Sequence, residues 1–145
     1  IRELFNHTFI LMKHELQSAL VTLNINNSVD DNTIIKGNIN SLVQVLNNLI
    51  SNAIQAYKKK PNQKIDLCAS IKNNNILISV KDYGPGIPEN IKEKLFKEMI
   101  TTKGKDGTGL GLFMSYSNIK AHFKGDLTFE TENNKGTTFF IKIPI

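Results

Sequence analysis

The sequence has little to cross-link it and nothing to anchor it. One cysteine stands in 145 residues, there is no tryptophan, and there are only four prolines. Cys68 cannot close an internal disulfide, which fits a reducing compartment. It lies in an apolar alternation and reads as a packed core thiol. No apolar run approaches the roughly 20 residues that span a bilayer, and no signal peptide is visible. His7, His14 and His122 are not at zinc-ligand spacing with Cys68. The pattern G-x-x-x-x-G-K-[ST] is absent, and no G-x-G-x-x-G follows a strand. The H-R-D and D-F-G pair of protein kinases and a serine elbow are missing too. Charge of one sign is not in large excess, since the net value is +5. The lysines are scattered, apart from Lys58, Lys59 and Lys60 at a helix end, where they suit the helix dipole. Aromatics are not interleaved with them, so no nucleic-acid partner is expected.

What remains has the apolar and charged content of one soluble domain. Residues 1–17 carry Leu4, Phe5, Phe9, Met12 and Leu16 near a 3.6 period, so a helix is expected. It starts without a cap, in the middle of a pattern, as a chain cut from something longer would. A strand is expected near Ala19–Ile25 and a short one at Thr33–Gly37. The strongest helix runs from Asn38 to Tyr57, with Asn38 or Asn40 as N-cap and Pro61 just beyond its end. Lys64–Ile71 and Asn75–Lys81 read as a hairpin through Lys72-Asn73-Asn74. Glu89–Phe96 reads as a short helix and Leu110–Phe123 as a longer one ended by Gly125. Asp126–Thr131 and Thr137–Ile143 form a second hairpin. Strands in adjacent pairs, not in strict β-α-β alternation, predict an α/β (α+β) two-layer sandwich. Its sheet would be mixed and largely antiparallel, with helices on one face.

Two places carry chemistry. Gln44, Asn48 and Asn52 are four residues apart and share one helix face. Asparagine is a poor helix former, so two in register work against local propensity, as functional sites do. Amide carbonyls are hard oxygens that suit Mg²⁺, although a solvated polar stripe explains the same spacing. The second place is Asp82 to Leu112. Asp82 ends an apolar strand ahead of Gly84 and Gly86, where a carboxylate can accept from an exocyclic amine or simply cap a Pro-Gly turn. Thr101, Thr102 and Lys103 offer two hydroxyls and an ammonium for a terminal phosphate. Gly107, Gly109 and Gly111 exceed what a turn needs, and a helix follows at once, so their backbone N–H groups suit an anion.

In this order the motifs resemble the catalytic, ATP-binding domain of bacterial two-component sensor histidine kinases, in the Bergerat-fold ATPase superfamily. Gln44 to Ala56 is similar to the family's asparagine box, and Asp82-x-Gly84-x-Gly86-Ile87 to its first glycine box. Leu95-Phe96 through Thr101-Thr102-Lys103 resembles the phenylalanine box, with a short Thr-Thr-Lys lid. Gly107-Thr108-Gly109-Leu110-Gly111-Leu112 is similar to the second glycine box, and Gly136-Thr137-Thr138-Phe139 to the final Gly-Thr strand. The resemblance implies ATP and Mg²⁺ as ligands. It implies that Asn52 ligates the metal and Asn48 supports metal and phosphates in catalysis. Asp82 would bind the adenine amine, with Gly84, Gly86 and Ile87 against the base and Thr137 closing the pocket. Lys103, a second catalytic residue, and the hydroxyls of Thr101 and Thr102 would reach the terminal phosphates. Gly107, Thr108, Gly109, Leu110, Gly111 and Leu112 would hold the phosphate chain.

The implied activity is transfer of the γ-phosphoryl group to a histidine on a separate dimerisation domain, and from there to a response regulator. Residues 1–17 would be a remnant or linker helix from that missing hairpin, and residues 18–145 the catalytic domain. The domain would be cytoplasmic without direct membrane contact, whether or not its parent is anchored. Lys13-His14-Glu15-Leu16 resembles a phosphoacceptor signature, but it stands too close to the asparagine box to be one. The acceptor is expected upstream of Ile1. Some positions depart from the family. Gln44 stands where many relatives have glutamate, Gln55 where many have a basic residue, and Glu98 and Met99 where Pro and a second Phe are common. The alternatives are another ATPase or serine kinase of the superfamily, or a degenerate nucleotide-binding regulatory module.

Overall fold

A computed structural model of the chain describes residues 1–93 and 107–145. Helix α1 (Arg2–Ala19) buries Leu4, Phe5, Thr8, Met12 and Leu16 along one stripe and packs them on the next helix. It ends where Leu20 turns left-handed at φ 56°. Strand β1 (Val21–Asn27) therefore starts two residues later than expected. Ala19 is a strong helix former, and the β-branched run begins only at Val21.

The strand expected at Thr33–Gly37 does not form. Thr33 N–H instead closes a turn onto the Asp30 carbonyl at 3.0 Å, and Ile34 is 77% exposed. Its apolar residues lack a ladder to join, and only Ile35 leans on the core.

Helix α2 (Ile39–Ala56) begins as its sequence requires. The Asn38 side chain accepts from Asn40 N–H at 2.8 Å, which satisfies a donor the first turn would leave free. Leu42, Val45, Leu46, Leu49, Ile50 and Ala53 bury one face. Each large side chain among them contributes about 1.5–3 kcal/mol by leaving water. Strands β2 (Gln63–Lys72) and β3 (Asn75–Asp82) follow as the expected hairpin. Asn73 and Asn74 both take positive φ, as a two-residue hairpin turn demands.

After Pro88 a helix begins over 89–93, with Ile91 and Lys92 N–H groups on the Pro88 carbonyl. The remainder of the expected Glu89–Phe96 helix lies outside the described residues. Helix α3 (Gly107–Phe123) buries Leu112, Ser115, Ile119 and Phe123 at helical spacing. It ends at Lys124, where φ is 53° and the Gly125 N–H returns to the Ile119 carbonyl. Strands β4 (Asp126–Glu132) and β5 (Gly136–Pro144) close the chain.

Among the described residues the sheet has five strands, in the order β1-β2-β3-β5-β4. β1 and β2 are parallel, and all other pairs are antiparallel. The last strand thus inserts between β3 and β4. Helices pack on one face, as the element order implied. Ile65 and Leu67, Ile76 and Ile78, and Ile141 and Ile143 are at most 1% exposed beneath them.

Cys68 is a correction to the sequence reading. Alternation puts it on the sheet face opposite Leu67 and Ala69, where it is only partly buried. A run of apolar neighbours does not reveal which face a given residue takes.

Candidate nucleotide-binding site

The alternation that buries Ile76, Ile78 and Val80 continues to Asp82, so its carboxylate enters the core face at the end of β3. Asp82 is 5% exposed. Its Oδ1 accepts from Gly84 N–H at 3.0 Å and from Thr137 N–H at 3.4 Å. Burial pushes the carboxyl above the usual range, and these two N–H groups pull the other way. Among the described residues the backbone holds Oδ1 and nothing donates to Oδ2.

The turn after Asp82 is stitched to the β4–β5 hairpin. Ile87 N–H donates to Thr131 Oγ1 at 2.8 Å, Asn134 N–H donates to the Pro85 carbonyl at 2.8 Å, and Thr131 Oγ1 lies 2.9 Å from Thr137 Oγ1. Gly86 (φ 80°) and Gly136 (φ 114°) permit this approach. A Cβ on Gly86 would overlap the Glu132 carbonyl, and one on Gly136 would overlap the Asp82 carbonyl.

The result is a cavity of about 200 Å³ between α2, the turn and the first half of α3. Ala53 and Ala56, Ile87 and Ile91, Leu112 and Phe139 make its walls, while Asn52, Asp82 and Thr137 are its polar groups. Its lining suits a mostly apolar group that turns a hydrogen-bond donor toward Asp82. Asn52 has its Nδ2 buried without a protein partner among the described residues. A native buried amide left unsatisfied calls for a ligand or water. Turning the amide over presents its carbonyl at the same place, and the two orientations are an assignment from partners. Mg²⁺ takes few protein oxygens and keeps waters and phosphate oxygens, so one amide carbonyl fits its needs.

Of the residues singled out in the sequence, Asn52, Asp82, Gly86, Ile87, Leu112 and Thr137 line this one cavity. Gly84 stands behind Asp82 as its backbone donor. Asn48 is not in the cavity: its Nδ2 donates to Ser115 Oγ at 3.1 Å, and with Gln44 it lines a separate hollow between α2 and α3. Thr101, Thr102 and Lys103 lie outside the described residues. Gly107, Thr108, Gly109, Leu110 and Gly111 form the first turns of α3, three residues ahead of the start expected at Leu110. Glycine lowers helix propensity, but these positions supply the free N–H groups of a helix N-terminus either way.

Sequence reasoning passed over Ala53 and Ala56, which complete the cavity wall. Their signal is visible: two alanines beside Asn52 on a face otherwise built of Leu, Ile and Val leave a gap. Phe139 follows Thr137 by two on the same strand face.

Comparison with known proteins agrees with this geometry. The family described as histidine kinase-, DNA gyrase B-, and HSP90-like ATPase matches residues 37–145. Sporulation kinase E of Bacillus subtilis is 39% identical over 106 residues, which are 73% of this chain and 14% of that protein. Sporulation kinase A of the same organism is 34% identical over 131 residues, 90% of this chain and 21% of that protein. The chain therefore spans only a minor part of the length of these relatives. The nucleotide-free catalytic domain of histidine kinase ThkA superposes with a TM-score of 0.80 at 30% identity, covering 99% of this chain and 91% of that one. ThkA in complex with response regulator protein TrrA superposes at 0.78 with 26% identity, covering 99% of this chain and 40% of that one. With the buried carboxylate, the glycine turn and the asparagine helix in place, this chain belongs to the histidine kinase-, DNA gyrase B- and HSP90-like ATPase family.

Proposed function

We propose that this chain is the catalytic domain of a two-component sensor histidine kinase, binding ATP with Mg²⁺ and donating the γ-phosphoryl group to a histidine on a separate dimerisation domain. The observation that carries this reading is the buried Asp82 carboxylate at the end of an apolar cavity, one oxygen tied and the other without a donor among the described residues. Adenine fits by chemistry: its faces suit Ala53, Ile87, Leu112 and Phe139, and its exocyclic amine suits Oδ2. The cavity holds no cation among its lining residues, so the phosphates belong outside it. Lys103, with the Thr101 and Thr102 hydroxyls, is assigned the terminal phosphates. The N–H groups from Gly107 to Leu112 are assigned the phosphate chain. Asn52 is assigned to Mg²⁺ through its amide carbonyl, with Asn48 in support. When bound, the metal neutralises phosphate charge. Gln44 cannot take a proton, so the domain's contribution is positioning and charge stabilisation, which is what phosphoryl transfer chiefly requires.

Residues 1–17 are read as the helix leading from the dimerisation hairpin, and residues 18–145 as the catalytic domain. A response regulator is the final acceptor in this scheme, supported by the complex of ThkA with TrrA. The domain is assigned to the cytoplasm, and no described helix is long and apolar enough to cross a membrane.

The chain alone is expected to bind ATP and not to phosphorylate itself. Adding a histidine-bearing dimerisation hairpin in trans is expected to give labelled hairpin only with both ATP and Mg²⁺. Label on His14 of this chain would refute the assignment, and no binding at millimolar nucleotide would sink the kinase reading altogether.

Asn52→Ala tests the metal role separately. Wild-type ATP affinity is expected to fall roughly tenfold when EDTA replaces Mg²⁺. The variant is expected to bind equally with and without the metal. An unchanged response to Mg²⁺ in calorimetric titrations would remove Asn52 from the metal site.

A further inference from the structure

Tyr57 closes α2 and is 6% exposed. Its hydroxyl is fully used. It donates to the Lys64 carbonyl at the start of β2 and accepts the Tyr83 N–H at 2.8 Å. A buried hydroxyl that both donates and accepts is an anchor. Burial pushes its ionisation above the ordinary tyrosine range, the Tyr83 N–H opposes this, and the charges of Asp82 and Asp66 add to the rise. The hydroxyl therefore keeps the proton it donates.

What it anchors is specific. The Tyr83 N–H belongs to the peptide unit that leaves Asp82. The carbonyl of the same unit lies against Gly136, where even a Cβ would not fit. The unit is thus held from α2 on one side and from β5 on the other. Beyond it, the Tyr83 hydroxyl bonds Asp66, and the Lys64 and Lys81 ammonium groups sit 4.7 and 4.9 Å from its ring centre. Displacement of this peptide would carry the Asp82 Cα with it, and the carboxylate hangs on that Cα.

We propose that Tyr57 is a positioning residue for base recognition: its hydroxyl fixes the Asp82–Tyr83 peptide and so sets the direction in which the Asp82 carboxylate meets the adenine amine. The inference rests on the reading of Asp82 as the adenine acceptor. The test compares ATP with purine riboside 5′-triphosphate, which lacks only the exocyclic amine. Wild-type protein is expected to prefer ATP by about tenfold, the scale of one charged hydrogen bond. In Tyr57→Phe the preference is expected to shrink to about twofold, with affinity for the amine-free analogue nearly unchanged. A general loosening of the fold would weaken both ligands alike and leave the ratio intact.

Should Tyr57→Phe fail to fold, an ester in place of the amide that joins Asp82 to Tyr83 removes the Tyr83 N–H donor, weakens the Asp82 carbonyl as an acceptor and keeps the Tyr57 side chain. The same collapse of the ratio is expected there. A wild-type ratio in the folded variant overturns the positioning role while leaving Asp82 as the base reader. No preference for ATP in the wild type overturns the Asp82 reading and this inference with it.

Discussion

Replacing Asp82 by Asn is expected to weaken ATP binding by about a hundredfold or more, without loss of stability at neutral pH. The two halves have different causes. A hydrogen bond to a charged acceptor contributes about 1.5–3 kcal/mol, and each 1.4 kcal/mol is about a factor of ten. An amide at position 82 would keep one carbonyl oxygen for the Gly84 and Thr137 N–H groups. It would then turn its NH₂ toward the adenine amine, donor against donor. The fold gains where the ligand loses. The Asp82 pKa is raised above 3.8 by burial, so the folded state holds this proton more tightly than the unfolded chain. Its stabilising contribution is complete below 3.8 and is lost as pH rises through the folded value. Above that value the wild type carries a buried carboxylate that the amide variant would not. Thermal melts should show the variant equal to or above the wild type at neutral pH, and the gap should narrow as the solution is acidified toward the ordinary aspartate range. Near-native ATP affinity would refute the role of the carboxylate, and a lower melting temperature at neutral pH would refute the account of its burial.

Gly136→Ala is expected to lose both properties at once. The position has φ 114°, a conformation that L residues rarely adopt. The added Cβ would overlap the Asp82 carbonyl oxygen, and would stand 2.8 Å from its carbon and 2.9 Å from the Tyr83 Cα. All three are backbone atoms, so no side chain can turn aside. Strain of this kind costs about 1–3 kcal/mol, and forcing β5 off β3 adds to it. A total of about 3 kcal/mol is a large share of the roughly 5–15 kcal/mol that holds a domain together. ATP affinity should fall at least tenfold in the fraction still folded, because the displaced atoms carry Asp82. Urea unfolding measures the first effect, and nucleotide titration at low denaturant the second. Lost stability with full affinity would show that β5 does not set the position of Asp82.

Much of this was legible beforehand, for physical reasons that differ by element. Asn38 ahead of a helical apolar face marks α2, and the Asn73–Asn74 pair marks a tight hairpin, because local chemistry decides both. The strand face of Asp82 follows from a period of two. What escaped depends on partners distant in sequence. Nothing in Thr33–Gly37 reveals that no ladder awaits it. Cys68 shows its apolar neighbours but not which face of the sheet is covered. Asn48 belongs to the expected polar stripe, yet its partner, Ser115, is 67 residues away. Tyr57 looks like an ordinary aromatic at a helix end, and its role depends on where two strands pass.

The position of β5 has a consequence for how the domain comes into being. The site draws on α2, on the end of β3 and on the start of β5, and β5 lies inside the sheet although it is last in sequence. During synthesis, α1 to β3 can gather before it arrives, but Asp82 then lacks the Thr137 N–H and its cavity lacks Phe139. Long-range pairing of this kind is slow, since distant segments must be ordered before any contact forms. The proposed adenine site is therefore completed late, when β5 slides between its two neighbours. A nascent chain would be blind to nucleotide until that moment.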